Sequence, residues 1–151
     1  PIDVIGLRVQ MCQPMQGRTT RDLMAFSALL DRFAAFEKPL AVTAIGVPSA
    51  PIAPEADDPA AEERGELHYP GRWRGEWTEQ IQSDWAAKAS AIALSKPSVI
   101  SVCWQDLLDV PRDARPEMIG GGLMNAAATP RIVAARLAGI RQALREGRPI
   151  V

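Results

Sequence analysis

A short apolar segment, Leu40 to Val47, lies between Pro39 and Pro48 and limits the possible folds more than any other feature. A continuous apolar run of this length, rich in β-branched residues and bounded by prolines, is typical of a strand buried on both faces. Strands of that kind belong to parallel sheets that are covered by helices. The segment therefore predicts an α/β protein with a parallel sheet.

Two further apolar runs and three amphipathic patterns extend this prediction along the chain. Strands are expected near residues 4–9, 40–47 and 99–104, and helices near 20–37, 78–95 and 130–146. In each helical segment the apolar residues recur at steps of three and four, which places them on one face of a helix. The resulting order, β-α-β-α-β-α, predicts three consecutive βα units joined by right-handed crossovers.

Three parallel strands cannot complete a fold on their own. They leave two open edges and do not provide enough cover for both faces of the sheet. The simplest completion is further βα units, supplied by another part of the chain or by a second copy. We therefore expect residues 1–151 to form one partial domain, with a long irregular loop over 48–77. The chain opens with Pro1 rather than Met and contains no secretory signal pattern, so Pro1 is expected to be a cut inside a longer chain or a processed start.

Composition argues against several classes of partner. The chain has 17 basic and 18 acidic residues, which does not favour nucleic acid or a membrane surface as a partner. It has no apolar run of about 18 residues, as a transmembrane helix requires. No residues have metal-ligand or phosphate-loop spacing, so no cofactor is expected. Cys12 and Cys103 are too few for a disulfide framework, and Cys103 is expected to be a buried thiol. The cellular compartment does not follow from these features.

Four segments carry a resemblance to a known family. Ile2–Gln10 reads IDVIGLRVQ, Lys38–Pro48 reads KPLAVTAIGVP, Val99–Asp109 reads VISVCWQDLLD, and Gly122–Arg131 reads GLMNAAATPR. In this order they resemble the sixth, seventh and eighth strands and the start of the last helix of the glycoside hydrolase family 10 endo-xylanases. The resemblance implies the C-terminal part of a TIM-type (β/α)8 barrel. It also implies a β-linked oligo- or polysaccharide as ligand, and the N-terminal half of the barrel as partner.

The resemblance also assigns positions in a site. The nucleophilic glutamate of the family falls on Ala44, which has no carboxylate and cannot attack an anomeric carbon. A histidine of the sixth strand falls on Gln10, and a glutamine two residues before it falls on Arg8. Together with Gln105, these two residues would form a polar rim around the sugar. The acid/base belongs to a strand outside this chain, so the chain supplies neither of the two carboxyl groups, about 5–5.5 Å apart, of a retaining site.

Three tryptophans are candidates for contacts with a sugar ring. An aromatic face covers a large apolar area of a sugar at low entropic cost. Trp104 matches the tryptophan that forms the floor of the family's sugar site, and it could equally be a core residue. Trp73 and Trp77 could line a carbohydrate groove, or they could anchor the long loop to the barrel. Asp109 is expected to fix the loop that follows the third strand.

The alanine at position 44 can be explained in two ways, and three hypotheses describe the function of the chain. A glutamate could have been replaced deliberately, or the chain could be a naturally divergent relative. The departures at Arg8 and Gln10 favour divergence. The first functional hypothesis is a portion of a glycoside hydrolase-like barrel that is inactive as given. The alternatives are a non-catalytic carbohydrate-binding relative and a self-associating structural half-barrel.

Overall fold

The computed structural model describes residues 1–10, 22–51, 73–111, 114 and 118–150. Within them, strands and helices alternate in the order β1 (Ile5–Gln10), α1 (Leu23–Ala34), β2 (Leu40–Gly46), α2 (Glu79–Leu94), β3 (Val99–Trp104) and α3 (Ile132–Arg145). The strands form one parallel sheet in the order β1-β2-β3. The prediction of an α/β fold built from three consecutive βα units is confirmed. Most of the expected loop over 48–77 lies outside the described residues, and its described ends contain no helix or strand.

The helix boundaries follow from local capping. Helix α1 begins at Leu23, later than the sequence predicts, because the Asp22 carboxylate accepts a hydrogen bond from the Met24 amide at 2.8 Å. Thr78 caps α2 as its sequence suggests, since its hydroxyl accepts from the Ile81 amide at 3.2 Å. Helix α3 ends before Gly147, whose φ of 64° is in the left-handed region that terminates helices.

The core lies between one face of the sheet and the helices. Leu7 and Val9 of β1 are buried beside residues of β2, and Phe26 and Trp85 contribute the largest helical side chains. The two rings lie 6.5 Å apart between centroids in a tilted arrangement. Burying an apolar side chain of this size contributes about 1.5–3 kcal/mol. This cluster therefore fixes which face of each strand points towards the helices.

We call the opposite face of the sheet the open face. Side chains alternate along a strand, so the residues of the open face lie between the core residues in the sequence. They are Gly6, Arg8, Gln10, Ala41, Thr43, Ala44, Gly46, Ser101 and Cys103. Thr43 is the extra residue of a β-bulge, where the pairing passes from Leu7–Val42 to Arg8–Ala44. Cys103 is exposed on this face rather than buried as expected, because Val102 and Trp104 are the β3 residues that pack against the core.

Candidate functional site

The carboxyl ends of all three strands meet at a pair of amide side chains. The Gln10 side-chain amide at the end of β1 donates a hydrogen bond to the Gln105 side-chain oxygen just after β3. Gly46 at the end of β2 lies beneath this bond, since a Cβ atom placed on it would be 3.6 Å from the Gln105 oxygen. Two of the expected rim residues are therefore brought together at the edge where parallel sheets place their ligand sites.

Arg8 and Ala44 form the adjacent part of the open face. They are register partners on β1 and β2, so their side chains leave the sheet on the same face, from strands about 4.8 Å apart. The Arg8 side chain is exposed, and Ala44 is half-buried. Within the described part of the chain, Arg8 makes no ion pair or side-chain hydrogen bond. A cation thus lies beside the position where the resemblance implies a nucleophilic carboxylate.

A loop following β3 closes over the end of β2 and is fixed by a residue that sequence reasoning did not single out. The fully buried Gln82 of α2 donates to the backbone oxygens of Val47 at 2.7 Å and Gly120 at 2.9 Å. The Ser49 amide donates to the Ile119 oxygen at 2.9 Å. The sequence does contain a signal for the burial of Gln82, because this residue lies on the buried stripe of α2, three residues before Trp85.

A mostly buried arginine holds the same loop from the other side. The Arg131 guanidinium pairs with Asp109 at 2.6 Å and with Glu79 at the start of α2. Asp109 also accepts from the Gly122 amide at 3.0 Å, so it fixes the loop as its sequence position suggests. Burial opposes the charge of Arg131, but its two carboxylate partners together raise its pKa above the ordinary value. The guanidinium therefore remains charged and joins α2, α3 and the loop.

The three tryptophans do not line the open face together. Trp104 packs against the core in register with the buried Ile45, and its indole N–H donates to the Gly121 oxygen at 2.9 Å. Trp77 is buried in the core, and Trp73 packs against the core with the Arg74 guanidinium carbon 4.8 Å from its ring centroid. These placements favour the packing alternative for each residue.

A cavity of about 320 Å³ lies on the helix side of the sheet, between α2, β3 and α3. Its lining is mostly apolar and includes Leu94, Val102, Trp104, Leu137 and Leu144. Gln10, Gln105, Ala44 and Arg8 do not line it. The cavity is therefore separate from the polar edge formed by Gln10 and Gln105.

Metal and membrane features are both missing from the part of the chain that the structure describes. In the ranges given above, no group of three or more histidine, cysteine or acidic side chains is placed to hold a metal ion. No helix within these ranges has the length and apolar character needed to cross a membrane. Neither finding changes the assignment of the polar edge as the candidate site.

The fold and the polar edge define an α/β protein whose parallel strands end in a candidate ligand site. Comparison with protein-family models finds no match, and no curated protein sequence matches. Solved structures do match. A Bifidobacterium dentium β-glucuronidase complexed with coumarin-3-O-glucuronide aligns with a TM-score of 0.60 and 19% identity, covering 92% of this chain and 21% of the enzyme.

Two other solved structures match with similar TM-scores, low sequence identity and partial coverage. A GH2 β-galacturonidase from Eisenbergiella tayi bound to galacturonate gives a TM-score of 0.59 at 16% identity, covering 93% of this chain and 24% of the other. A Faecalibacterium prausnitzii β-glucuronidase gives 0.58 at 15%, with 96% and 22% covered. The chain thus spans about a fifth to a quarter of these structures and shares their fold. They are glycoside hydrolases but not family 10 endo-xylanases, so that finer assignment gains no support.

Proposed function

We propose that this chain is the C-terminal portion of a glycoside hydrolase-like (β/α)8 barrel that binds carbohydrate at the carboxyl ends of β1, β2 and β3. One observation carries the proposal: about nine-tenths of the chain aligns with solved glycosidases, although sequence identity is below 20%. Two of those structures hold a glucuronide and galacturonate, so a sugar is the first ligand class to test.

The polar edge has the chemistry that sugar binding requires. Gln10 and Gln105 provide amide groups, and a primary amide has two donor hydrogens and an acceptor oxygen with two lone pairs. Sugar hydroxyls, which donate and accept, pair well with such groups in a concave site. The proposed site consists of these two glutamines with Arg8 and Ala44. Trp73, Trp77 and Trp104 act in packing.

The same site lacks the group that would make it hydrolytic. A retaining glycosidase needs one carboxylate as nucleophile and a second carboxyl group as acid/base. The nucleophile position implied by the resemblance is Ala44, and the open face carries no carboxylate in the described strands. We therefore propose binding without hydrolysis through the residues of this chain.

We propose that the remaining barrel strands come from outside the described part of this chain. Strands β1 and β3 are the two edges of the sheet, and each exposes backbone groups that a further parallel strand could pair with. Ile100 of β3 is 61% exposed at one of these edges. The partner we propose is the N-terminal part of the same barrel.

A combined binding and hydrolysis assay tests this function. The full-length protein is titrated by calorimetry with β-linked oligosaccharides and assayed for sugar release with the same compounds. We expect saturable binding, no release, and an affinity about tenfold lower in Gln105→Ala, because each lost hydrogen bond to a sugar costs about 1 kcal/mol or more. Gln80→Ala, on the exposed face of α2, is the control and should bind normally.

Two outcomes would contradict the proposal. Absence of binding to every sugar would remove carbohydrate as the ligand class. Release of sugar by the unmodified protein would show that another group replaces the missing nucleophile. If the rest of the barrel supplies the acid/base, Ala44→Glu should gain hydrolysis, whereas Ala44→Gln should not.

A further inference from the structure

The open face carries a single permanent charge. Among its nine described members, Arg8 and Cys103 are the ionisable residues, and the others are glycine, alanine, serine, threonine and glutamine. Arg8 has no carboxylate partner in the described chain, whereas the mostly buried Arg131 has two. The charge of Arg8 is therefore not used to hold this part of the fold together.

An unpaired arginine on this face becomes costly once the rest of a barrel covers it. Removing a cation from water is strongly unfavourable unless an anion and further hydrogen bonds replace the water. The register partner of Arg8 in the described sheet is Ala44, which offers only a methyl group. A guanidinium presents paired donors that match both oxygens of a carboxylate. The missing counter-charge is thus expected to be a carboxylate that occupies the space above this methyl group.

We propose that Arg8 binds the carboxylate of an acidic sugar in the space beside Ala44. The inference rests on the proposed function and specifies its substrate class as uronic acid glycosides rather than neutral ones. The half-buried Gln105, which accepts a hydrogen bond from Gln10 at the ends of the strands, can donate from its own side-chain amide to a hydroxyl of the same ring. The absence of a glutamate at position 44 and the presence of Arg8 are then connected. A glutamate at that position would neutralise the arginine, whereas Ala44 leaves its charge available to a ligand.

The test compares sugars that differ only at the carboxylate. The full-length protein is titrated with methyl β-glucuronide and methyl β-glucoside, and with the corresponding galacturonide and galactoside. We expect the acid of at least one pair to bind about 10- to 100-fold more tightly than its neutral partner at pH 7, as charged hydrogen bonds of this kind allow. Raising the ionic strength should reduce this preference more than it reduces the affinity for the neutral sugar.

Substitutions locate the preference at Arg8. Arg8→Gln should remove it, Arg8→Lys should keep part of it, and Arg136→Gln, an exposed arginine of α3, should leave it unchanged. Ala44→Glu should weaken binding of the acid by pairing with Arg8, while the neutral Ala44→Gln weakens it less. Circular dichroism of each variant identifies any that fail to fold, and Ala44→Glu tests the proposal independently of changes at Arg8.

The outcomes separate this inference from the function on which it rests. Equal affinity for the acid and neutral sugars, or a preference that survives Arg8→Gln, would overturn the assignment of Arg8 and leave carbohydrate binding standing. The first result would also indicate that a carboxylate of the remaining barrel already neutralises Arg8. Absence of binding to all sugars would overturn the proposed function itself.

Discussion

The side chains of Gln10 and Gln105 are hydrogen-bonded across the carboxyl end of the central strand, although 95 positions separate them in the chain. The bond spans the two outer strands and passes over Gly46 of β2. Gln10 is nearly fully buried, so its amide depends on partners in the protein. The pair therefore connects the three strand ends at the point where a ligand would be held.

This bond should give a measurable coupling energy. We expect the double-mutant cycle of Gln10→Ala and Gln105→Ala to yield about 0.5–1.5 kcal/mol, the net value of a hydrogen bond between neutral groups. Urea denaturation of the four proteins measures it. The exposed Gln80–Asp84 pair, at 3.1 Å within one helix, should couple by less than about 0.5 kcal/mol. Additive effects at Gln10 and Gln105 would show that the bond contributes nothing to stability.

The same substitution at two glycines should have opposite effects. A Cβ atom on Gly122 would lie 2.5 Å from the Asp109 amide nitrogen, so Gly122→Ala should destabilise the fold by about 1–3 kcal/mol. Gly139 lies inside α3, and such a Cβ would have no atom within 4 Å apart from the neighbouring backbone of its own helix, so Gly139→Ala should stabilise the fold by about 0.5–1 kcal/mol. Thermal melting distinguishes them, and a shift of the same sign in both would be incompatible with this packing.

The ion pairs of Arg131 should matter more than an exposed pair. Arg131→Met leaves the half-buried Asp109 without its cation and should cost about 1–3 kcal/mol. Lys96→Met removes a pair whose partner Asp31 is 64% exposed, and it should cost less than about 1 kcal/mol. Denaturant titration provides both values, and equal costs would argue against a structural role for Arg131.

The pH dependence of the Arg131 contribution follows from its raised pKa. A cation with a raised pKa stabilises the fold fully below its unfolded pKa and loses that contribution only as pH rises through the folded value. The folded pKa lies above the ordinary arginine value, which is itself far above neutrality, so the guanidinium should not titrate between pH 6 and 9. The difference between Arg131→Met and the unmodified protein should therefore be constant over that range. A difference that declines from pH 6 to 9 would contradict this expectation.

Cys103 reports whether the open face is covered. Its thiol is exposed in the described chain, and a closed barrel would enclose it. In a Cys12→Ser background, we expect a thiol reagent to label Cys103 about tenfold or more slowly in the native full-length protein than in the same protein unfolded in urea. Equal rates would show that nothing covers this face, and the partial-barrel proposal would then fail.

The strand pattern could be predicted because it is local. Leu40–Val47 and its two counterparts have the apolar content of buried strands, and Thr78 and Gly147 occupy positions that cap or end helices. The start of α1 was displaced because Asp22, not an earlier residue, supplies the cap. Local chemistry of this kind decides which elements form and in what order.

Three features of the site depended on packing and not on sequence. Gln82 lies on the buried stripe of α2, but only the packing shows that its amide donates to the backbone of two loops. Trp104 could be a sugar-contacting residue or a core residue by its sequence, and its register with Ile45 turns it towards the helices. Arg8 reads as one charged residue in an apolar strand, and only its pairing with Ala44 shows that the two share a face.

By itself, the sequence determined the three βα units and the absence of a carboxylate at position 44, because apolar runs, caps and residue identity are properties of the chain. Only the tertiary structure decided which side chains meet. The bulge at Thr43 and the register of three parallel strands place Arg8 beside Ala44 and turn Trp104 into the core. A shift of one residue in that pairing would exchange the two faces, and no local pattern encodes it.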